Sequence, residues 1–451
     1  VPRIALLGGS FDPPGKYHRR LAERLLQSFD RVAVVPYGDR PDGQQSDTPS
    51  VHRATMADMA FRGLDRVTVD LSDLEEQISP APHLLEQRYA DAGEVWFVVP
   101  AELIRGGPDA PVRKYWERGR ALWQTGRFVI LQQPNEPLGD DLPPHHEVLP
   151  TEPFLPATAI RGRVYHQEDV SEWVLPEVLR YITRHALYRG MPPLRDTAYR
   201  VGRPRFSLYH DPENPDSRRL VRDLPAFESD EPEMIVVLGG DGTMLRAIRQ
   251  HWRERLPFYG LNTGHIGFLL NDRQARFWEH SLTLYQLPLL RAEAETLDGQ
   301  TTTGLAFNEV WVERVTGQTA WVRLSVNGRV RIEKVVCDGV LVSTAAGSTS
   351  YARAMGAAAL PFPTPVLTIA GSNVLTPFGW RPAVLPLTSE IELTTLDPQK
   401  RPLQGYIDGV SLGRVSSVRV RVSRTAAVEL AFQPEHDPVA KLAKLQFPLE
   451  G

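Results

Sequence analysis

The chain has 451 residues, with 51 Lys and Arg against 55 Asp and Glu, a net charge of −4 and 42% hydrophobic residues. At a soft prior of ~150 residues per domain this is enough chain for two or three cores, and the slightly acidic balance argues against a dedicated nucleic-acid binder, whose domain would be strongly basic. The single cysteine, Cys337, excludes an intrachain disulfide and a cysteine-based zinc site. With no apolar run near the ~18 residues of a membrane helix, and no signal-peptide pattern, the expectation is a soluble cytoplasmic protein.

Residues 3–7 form a short apolar run that stops at Gly8-Gly9. This reads as a buried strand feeding a tight loop, Ser10-Phe11-Asp12-Pro13-Pro14-Gly15. Leu21, Leu25, Leu26 and Phe29 then recur at helical spacing. RVAVVPYG from Arg31 is a second strand, 53–61 a helix, 65–71 and 94–99 strands, 114–123 a Trp-bearing helix and 127–131 a strand. His145-His146 falls in a loop rich in Pro, Asp and Glu, and VLRYITRHALY is a closing helix that ends near Tyr188. The alternation predicts a parallel sheet covered by helices. Residues 189–204, rich in Gly, Pro and Arg, have the composition of a linker. MIVVLGGDGTMLRAIRQHW then repeats the order strand, glycine turn, helix, and LPFYGLNTGHIGFLL is again a strand entering a glycine-rich loop. From about Leu290 the texture changes to short β-branched strands with turns such as Asn327-Gly328, which predicts a β-rich lobe. The expected domains are 1–190, a linker at 191–204, and 205–451, the last divided into an α/β lobe (205–289) and a β-rich lobe (290–451).

The segment GGSFDPPGKYH, residues 8–18, has the makings of a phosphate cradle. Glycines between a strand and a helix let main-chain N–H groups reach phosphate oxygens, and His18 adds a donor. It is not a P-loop: Gly9 to Gly15 is one residue too long, and Tyr17 takes the Ser/Thr position after Lys16. It resembles the nucleotidyltransferase family, in particular the bacterial nicotinate/nicotinamide mononucleotide adenylyltransferases, in which a GG-S/T-FDP turn precedes His-x-Gly-His. EVWFVVPAEL (94–103) resembles that family's central strand and substrate loop, TAIRGRV (158–164) its second phosphate motif, and VLRYITRHALY (178–188) its closing helix. The resemblance implies nucleotide contacts at Gly8, Gly9, Ser10, Phe11, Lys16, His18, Thr158 and Arg161, with mononucleotide and ATP as substrates. The chain departs from the pattern at Gly15 (for the first His), Tyr17 (for Gly), Pro156-Ala157 (for two serines) and Pro41-Asp42-Gly43 (for Pro-His-Lys). Two readings follow: a working variant in which Lys16 supplies the lost imidazole's charge, or a structural or nucleotide-sensing domain.

GGDGT, residues 239–243, is not a Rossmann fingerprint, because Leu245 holds the third glycine position, nor a Walker loop, because no Lys follows. A carboxylate inside a glycine turn suits phosphoryl transfer: Asp241 can take a proton from an attacking hydroxyl or help hold Mg²⁺. The plainer reading is a Gly-Asp-Gly turn whose Asp bonds its own backbone. GLNTGHIGFLL (260–270), FNEVWVER (307–314), CDGVLVSTAAGSTSYARAMG (337–356) and YIDG (406–409) follow in order. This ordered set resembles the NAD kinase family. The resemblance implies a two-lobed fold with the site between an α/β lobe and a β-rich lobe. It also implies transfer of the ATP γ-phosphate to the 2′-hydroxyl of the adenosine ribose of NAD, with Mg²⁺ accompanying ATP and no bound organic cofactor. Asp241 becomes the base, with Gly240, Gly242 and Thr243 around the phosphates. Asn308 and Glu309 match a ribose-binding pair, Asn262 and Phe268 an adenine-lining loop, and Asp338, Ser343, Thr349 and Tyr351 a nucleotide-binding segment. Asp408-Gly409 matches a late turn, structural or near ATP. Departures are Thr344-Ala345-Ala346 for Thr-Pro-Thr, Gly356-Ala357-Ala358 for Gly-Gly-Pro, Ala354 for a common Ser, and a short opening stretch before Glu228.

The expectation is therefore an α/β chain that fuses a nucleotidyltransferase-like domain to an NAD kinase, acting on NAD and ATP and, in a bifunctional form, on mononucleotide. No nucleic-acid or membrane partner is expected, and a homo-oligomer formed through the β-rich lobe is implied by resemblance. The alternatives are a non-catalytic dinucleotide sensor or a chain in which adenylyltransferase activity dominates. A lipid kinase shares the glycine-aspartate turn but does not call for GLNTGHIGFL or the pair Asn308-Glu309.

Overall fold

Strands too apolar to face water on either side assemble into a parallel sheet at the start of the chain. The computed structural model describes residues 1–38, 48–77, 82–134, 137–200, 205–223, 228–264, 267–272, 281–434, 436 and 441–443. They divide into two units, Val1–Leu194 and Arg195–Gly451. Pro41-Asp42-Gly43 lies outside the described residues.

In the first unit the strands are β1 (Arg3–Gly9), β2 (Arg31–Pro36), β3 (Val67–Val69), β4 (Glu94–Pro100), β5 (Arg127–Gln132) and β6 (His145–Pro150). Among the described residues they form one sheet in the order β3-β2-β1-β4-β5-β6, with every pairing parallel. Alternation along each strand feeds two cores: Leu7, Val34, Val98 and Val129 pack with Leu21, Leu25 and Tyr181, while Ile4, Leu6, Phe97 and Ile130 pack with Leu122 and Trp123. The strand order reverses between β1 and β4, so the carboxyl ends of these two strands flank the crevice where doubly wound sheets bind ligands.

Three local expectations are corrected here. The helix expected over 114–123 is two helices, Pro111–Tyr115 and Gly119–Thr125, interrupted where Arg118 takes a φ of 57°. The closing helix is Pro176–Arg184, and it stops short of Tyr188 because Ala186 and Tyr188 turn to positive φ (53° and 64°). His145 and His146 open strand β6 instead of lying in a loop. Its largely exposed edge position left no apolar alternation in the sequence, and the His146 ring is 2.7 Å from the Pro143 carbonyl.

The second unit begins with β7 (Asp196–Arg200), β8 (Phe206–His210), β9 (Met234–Gly239) and β10 (Phe258–Asn262). It continues with β11 (Ser281–Thr296), β12 (Thr301–Ala306), β13 (Glu309–Arg314), β14 (Ala320–Val326), β15 (Arg329–Cys337) and β16 (Gly339–Thr344), then β17 (Val366–Ser372), β18 (Ala383–Pro386), β19 (Ile391–Thr395), β20 (Leu403–Ile407) and β21 (Val410–Phe432). Strands β8, β9 and β10 are parallel to one another, and β10 runs parallel to the end of β21. The long strands β11 and β21 are antiparallel, with a register shift between Pro288 and Leu290. The texture change near Leu290 therefore falls inside a strand, at a bulge where proline has no N–H to give the ladder. Strand β7, within the stretch read as linker, pairs antiparallel with the start of β11. Among the described residues no helix is long and apolar enough to cross a membrane.

Beside the β10–β21 pairing, a buried side-chain amide ties the α/β strands to β21. Asn271 gives its side-chain N–H groups to the Gly260 carbonyl (3.1 Å) and the Ala431 carbonyl (3.0 Å), and its Oδ1 accepts from the Gln433 N–H at 2.9 Å. Replacing it by an apolar residue removes all three side-chain bonds, although the Gly260 carbonyl keeps the main-chain N–H of residue 271 at 2.8 Å. At roughly 1 kcal/mol per net bond, Asn271→Leu is expected to cost about 3 kcal/mol, measurable as a lowered urea midpoint. An unchanged midpoint would show that this tie carries no weight.

Candidate functional site

Strand β9 ends at Gly239, and the helix Asp241–His251 starts one residue later with Gly240 as its N-cap. A Cβ on Gly239 would lie 2.4 Å from the Thr243 hydroxyl, whereas Gly240 and Gly242 face open space. The first glycine thus serves the turn, and the other two leave room above the helix N-terminus, where anions are favoured. Asp241, the first helical residue, does not bond its own turn. Its two carboxylate oxygens accept the N–H groups of Phe268 (3.1 Å) and Leu269 (3.0 Å). Burial raises its pKa above the ordinary aspartate value, against the pull of these amides and of the Lys441 ammonium. Asn262 is buried and closes its own turn by accepting the Gly264 N–H at 2.9 Å.

Asn308 and Glu309 stand at the start of β13, and the device that places them is about a hundred residues away in sequence. Asp408, at φ 42°, accepts three successive main-chain N–H groups through its carboxylate: Phe307 at 2.6 Å, Asn308 at 2.9 Å and Glu309 at 3.0 Å. Behind them, Gly347 lies so close that a Cβ would be 2.5 Å from the Asn308 carbonyl. Asn308 and Glu309 are 4% and 5% exposed, yet Asn308 Oδ1 and Glu309 Oε2 have no hydrogen-bond partner. Buried polar atoms are normally paired, so these two oxygens, on successive residues, are open to a ligand that hydrogen-bonds. Burial, followed by the Asp408 charge, pushes the Glu309 carboxyl up to about 8, while the Ser350 hydroxyl at 3.5 Å pulls it down.

The segment 343–351 joins these groups. Ser343 is fully buried and gives its hydroxyl to the carbonyls of Thr344 (2.8 Å) and Asn308 (3.3 Å), a supporting position closed to ligand. Thr349 lines a small pocket with Phe268 and Leu269, the two residues whose amides hold Asp241. Tyr351 is 43% exposed, with its ring 5.2 Å from Trp311, which in turn stacks on Tyr406 at 5.0 Å. On the other side, Arg249 of the Asp241 helix donates to the Asp408 carbonyl at 3.2 Å. Hydrogen bonds thus join Asp241 to Phe268 and Leu269, Ser350 to Glu309, Glu309 to Asp408 and Asp408 to Arg249 of the Asp241 helix, and Thr349 lines a pocket with Phe268 and Leu269. Met244, Leu269, Phe307, Ala346 and Phe362 share one apolar core.

Asp338 is not brought into this group. It precedes β16 at the end opposite Ser343, the partner of Glu309, at least five strand residues away at ~3.3 Å each. Its carboxylate is taken by Asn373 (2.7 Å) and Arg314 (2.6 Å), which hold its pKa below the ordinary value. Ser350 and Lys441 were not singled out in the sequence, whereas Asp408 was read there within a late Asp-Gly turn, structural or near ATP, without its bonds to residues 307–309. Among the described residues no three His, Cys, Asp or Glu side chains converge into a metal cage.

In the first unit, Ser10, Asp12, His18, Glu102, Thr158 and Arg161 line a cleft of about 940 Å³. It sits where β1 and β4 diverge. His18 accepts the Gly15 N–H on Nδ1 at 3.0 Å, and burial pushes its pKa down to about 4. Its ring is therefore neutral, with its proton on Nε2. Lys16 is turned away and bonds the Ser171 carbonyl at 2.8 Å, so it does not replace the missing imidazole. Tyr17 stacks on Phe154 at 4.0 Å. Arg161 donates to the Asp12 carbonyl at 2.6 Å and Arg53 to the Ser10 carbonyl at 2.9 Å, bracing the loop. Phe11 is buried in the core, and Tyr37 packs against Gly8, so neither residue faces the cleft.

The family model for the ATP-NAD kinase N-terminal domain matches residues 168–279, and a cytidylyltransferase-like model matches residues 6–163. The chain is 34% identical over 231 residues to the NAD kinase of Brucella suis biovar 1, spanning 51% of this chain and 90% of that one. It is 38% identical over 225 residues to the NAD kinase of Cereibacter sphaeroides, spanning 48% and 87%. Yeast NADH kinase, solved in complex with NADH, superposes over 55% of this chain and 88% of that chain with a TM-score of 0.49 and 15% identity.

The state of Glu309 has a measurable consequence. Between the ordinary value of 4.5 and about 8, the unfolded chain has released this proton while the folded chain retains it. Stability therefore falls as pH rises through that window, by up to about 1.4 kcal/mol per pH unit. Glu309→Gln, which cannot ionise, is expected to flatten the decline in thermal midpoint across the window. Identical pH slopes for variant and wild type would contradict the assigned shift.

Proposed function

The chain belongs to the NAD kinase family, and on that premise we propose that it transfers the γ-phosphoryl group of ATP to the 2′-hydroxyl of the adenosine ribose of NAD, giving NADP and ADP. The observation that carries this reading is the pair of buried, unpartnered oxygens on Asn308 and Glu309. A ribose diol both donates and accepts, and an amide beside a protonated carboxyl matches it. Asp241 takes the proton of the 2′-hydroxyl as its oxygen bonds to the γ-phosphorus and the bond to the β-phosphate oxygen breaks. A carboxylate whose pKa burial has raised is a better base than a solvated one. Its two amide bonds aim it while leaving further lone pairs for the hydroxyl. Mg²⁺ enters on the triphosphate and neutralises its charge.

Purified chain with NAD, ATP and Mg²⁺ is expected to form NADP. Asp241→Asn should lower kcat by about 10²–10⁴-fold, with NAD binding retained. An undiminished kcat would remove Asp241 from the role of base, while NAD binding with no NADP formed by wild type would leave the binding-only reading, a dinucleotide sensor.

For the first unit we propose a nucleotide site in the β1/β4 cleft that joins nicotinate or nicotinamide mononucleotide to ATP, making the dinucleotide that the second unit consumes. Its support is the cleft's place at the switch point and the neutral His18 Nε2–H, a donor for phosphate oxygens, beside Thr158. Gly15 and the diverted Lys16 leave His18 as the remaining donor of the 15–18 turn, with Arg161 the cation that lines the cleft, so turnover is proposed to rest on His18. Incubation with mononucleotide and ATP is expected to yield dinucleotide and pyrophosphate, and His18→Ala to abolish both. Saturable mononucleotide binding without product would leave this unit a binding role alone.

A further inference from the structure

We propose that Lys441, 200 residues from the catalytic turn in sequence, is a positioning residue that holds Asp241 in its working orientation through one intervening peptide unit. The Lys441 ammonium donates to the Gly267 carbonyl at 3.0 Å and to the Leu270 carbonyl at 2.8 Å, and it lies 3.5 Å from the Asp272 carboxylate. Its side chain is only 17% exposed. The Gly267 carbonyl and the Phe268 N–H belong to the same trans peptide plane, so they point in opposite directions. Fixing the oxygen on the Lys441 side therefore fixes the N–H on the Asp241 side, where it meets Oδ2 at 3.1 Å. The Leu270 carbonyl anchors the other end of the stretch, whose Leu269 N–H meets Oδ1 at 3.0 Å.

The chain of donors and acceptors runs ammonium, carbonyl, amide N–H, carboxylate. A cation at one end polarises the peptide and strengthens the amide's bond at the other. Steric fit adds to this. A Cβ on Gly267 would sit 2.7 Å from the Leu270 side chain and 3.1 Å from the Asn262 amide carbon, so the segment is already drawn tight against its surroundings. Lys441 and Leu442 also line the pocket that contains Phe268, Leu269 and Thr349, which places the tail over the same loop. The ammonium acts on Asp241 directly as well, drawing its pKa down against burial. Lys441 need not touch either substrate for this role, which rests on the kinase reading above.

The test compares wild type, Lys441→Met and Lys441→Arg in the full chain, measuring NADP formation, thermal midpoint and hydrogen exchange. A base misplaced by a fraction of an ångström loses rate without losing substrate. Lys441→Met is therefore expected to lower kcat about 10–100-fold, with KM for NAD and ATP within about twofold. Lys441→Arg, which keeps charge and donors, should recover most of the loss. The Phe268 and Leu269 amides should exchange faster in Lys441→Met alone. Unchanged kcat, or a loss that Arg does not rescue and that follows a fall in thermal midpoint, overturns the proposal. If wild type makes no NADP, the kinase reading fails, while exchange at the two amides still decides whether Lys441 holds the loop.

Discussion

One carboxylate that receives three consecutive main-chain N–H groups sets the geometry of the second unit. Asp408 collects Phe307, Asn308 and Glu309, and in doing so it holds the main chain at the entry to β13, where Asn308 and Glu309 are buried with an unpartnered oxygen each. Without it, three amides in a segment 2–5% exposed would be left unpaired, at a cost of ~1–3 kcal/mol each. Burial first, and then the charge of this same carboxylate, raises the pKa of Glu309, and the Asp408 carbonyl receives Arg249 from the helix that carries Asp241. The main-chain position of residues 307–309 and the link to that helix thus meet at a single residue in a tight turn.

Asp241 repeats the principle on a smaller scale. It too is an acid fixed by neighbouring amides, two instead of three, and burial raises its pKa as well. The difference lies in what surrounds each group. Asp408 is saturated by backbone and packed under a strand, so it organises. Asp241 sits where Gly240 and Gly242 leave open space, so it has somewhere to act. Charged groups this poor in solvent are costly unless hydrogen-bonded, and in both cases oriented peptide dipoles meet that cost without introducing a counter-ion that would block the site.

The first unit shows a crevice set by the sheet and lined by side chains placed through local packing. Sheet order alone creates the opening between β1 and β4. What stands in it depends on local repacking: Tyr17 is accommodated by stacking on Phe154, and Lys16 finds the Ser171 carbonyl. Neither side chain disturbs the buried apolar faces of the sheet.

Strands β1, β2, β4, β5, β9 and β10, and the glycine turns that follow them, were legible because each is a local pattern: an apolar run of strand length ending at a residue type the backbone needs. Asp241, Asn308, Glu309 and Thr349 were legible as members of an ordered motif set. Strand β6 was not, since an edge strand with a polar face lacks alternation, nor was the break at Arg118, where packing imposes a left-handed residue. The separation of Asp338 from Glu309 was invisible because both lie in one motif set yet at opposite ends of the β13–β16 pair. Asp408 beneath residues 307–309, Asn271 against Ala431 and Lys441 against Gly267 each join segments 99 to 174 residues apart. Such bonds leave no trace in local composition. The sequence by itself determined which chemical groups are present and the local elements that carry them. The tertiary structure alone decided which oxygens are left without partners, because that depends on what long-range packing brings to each amide and carboxylate and what it withholds.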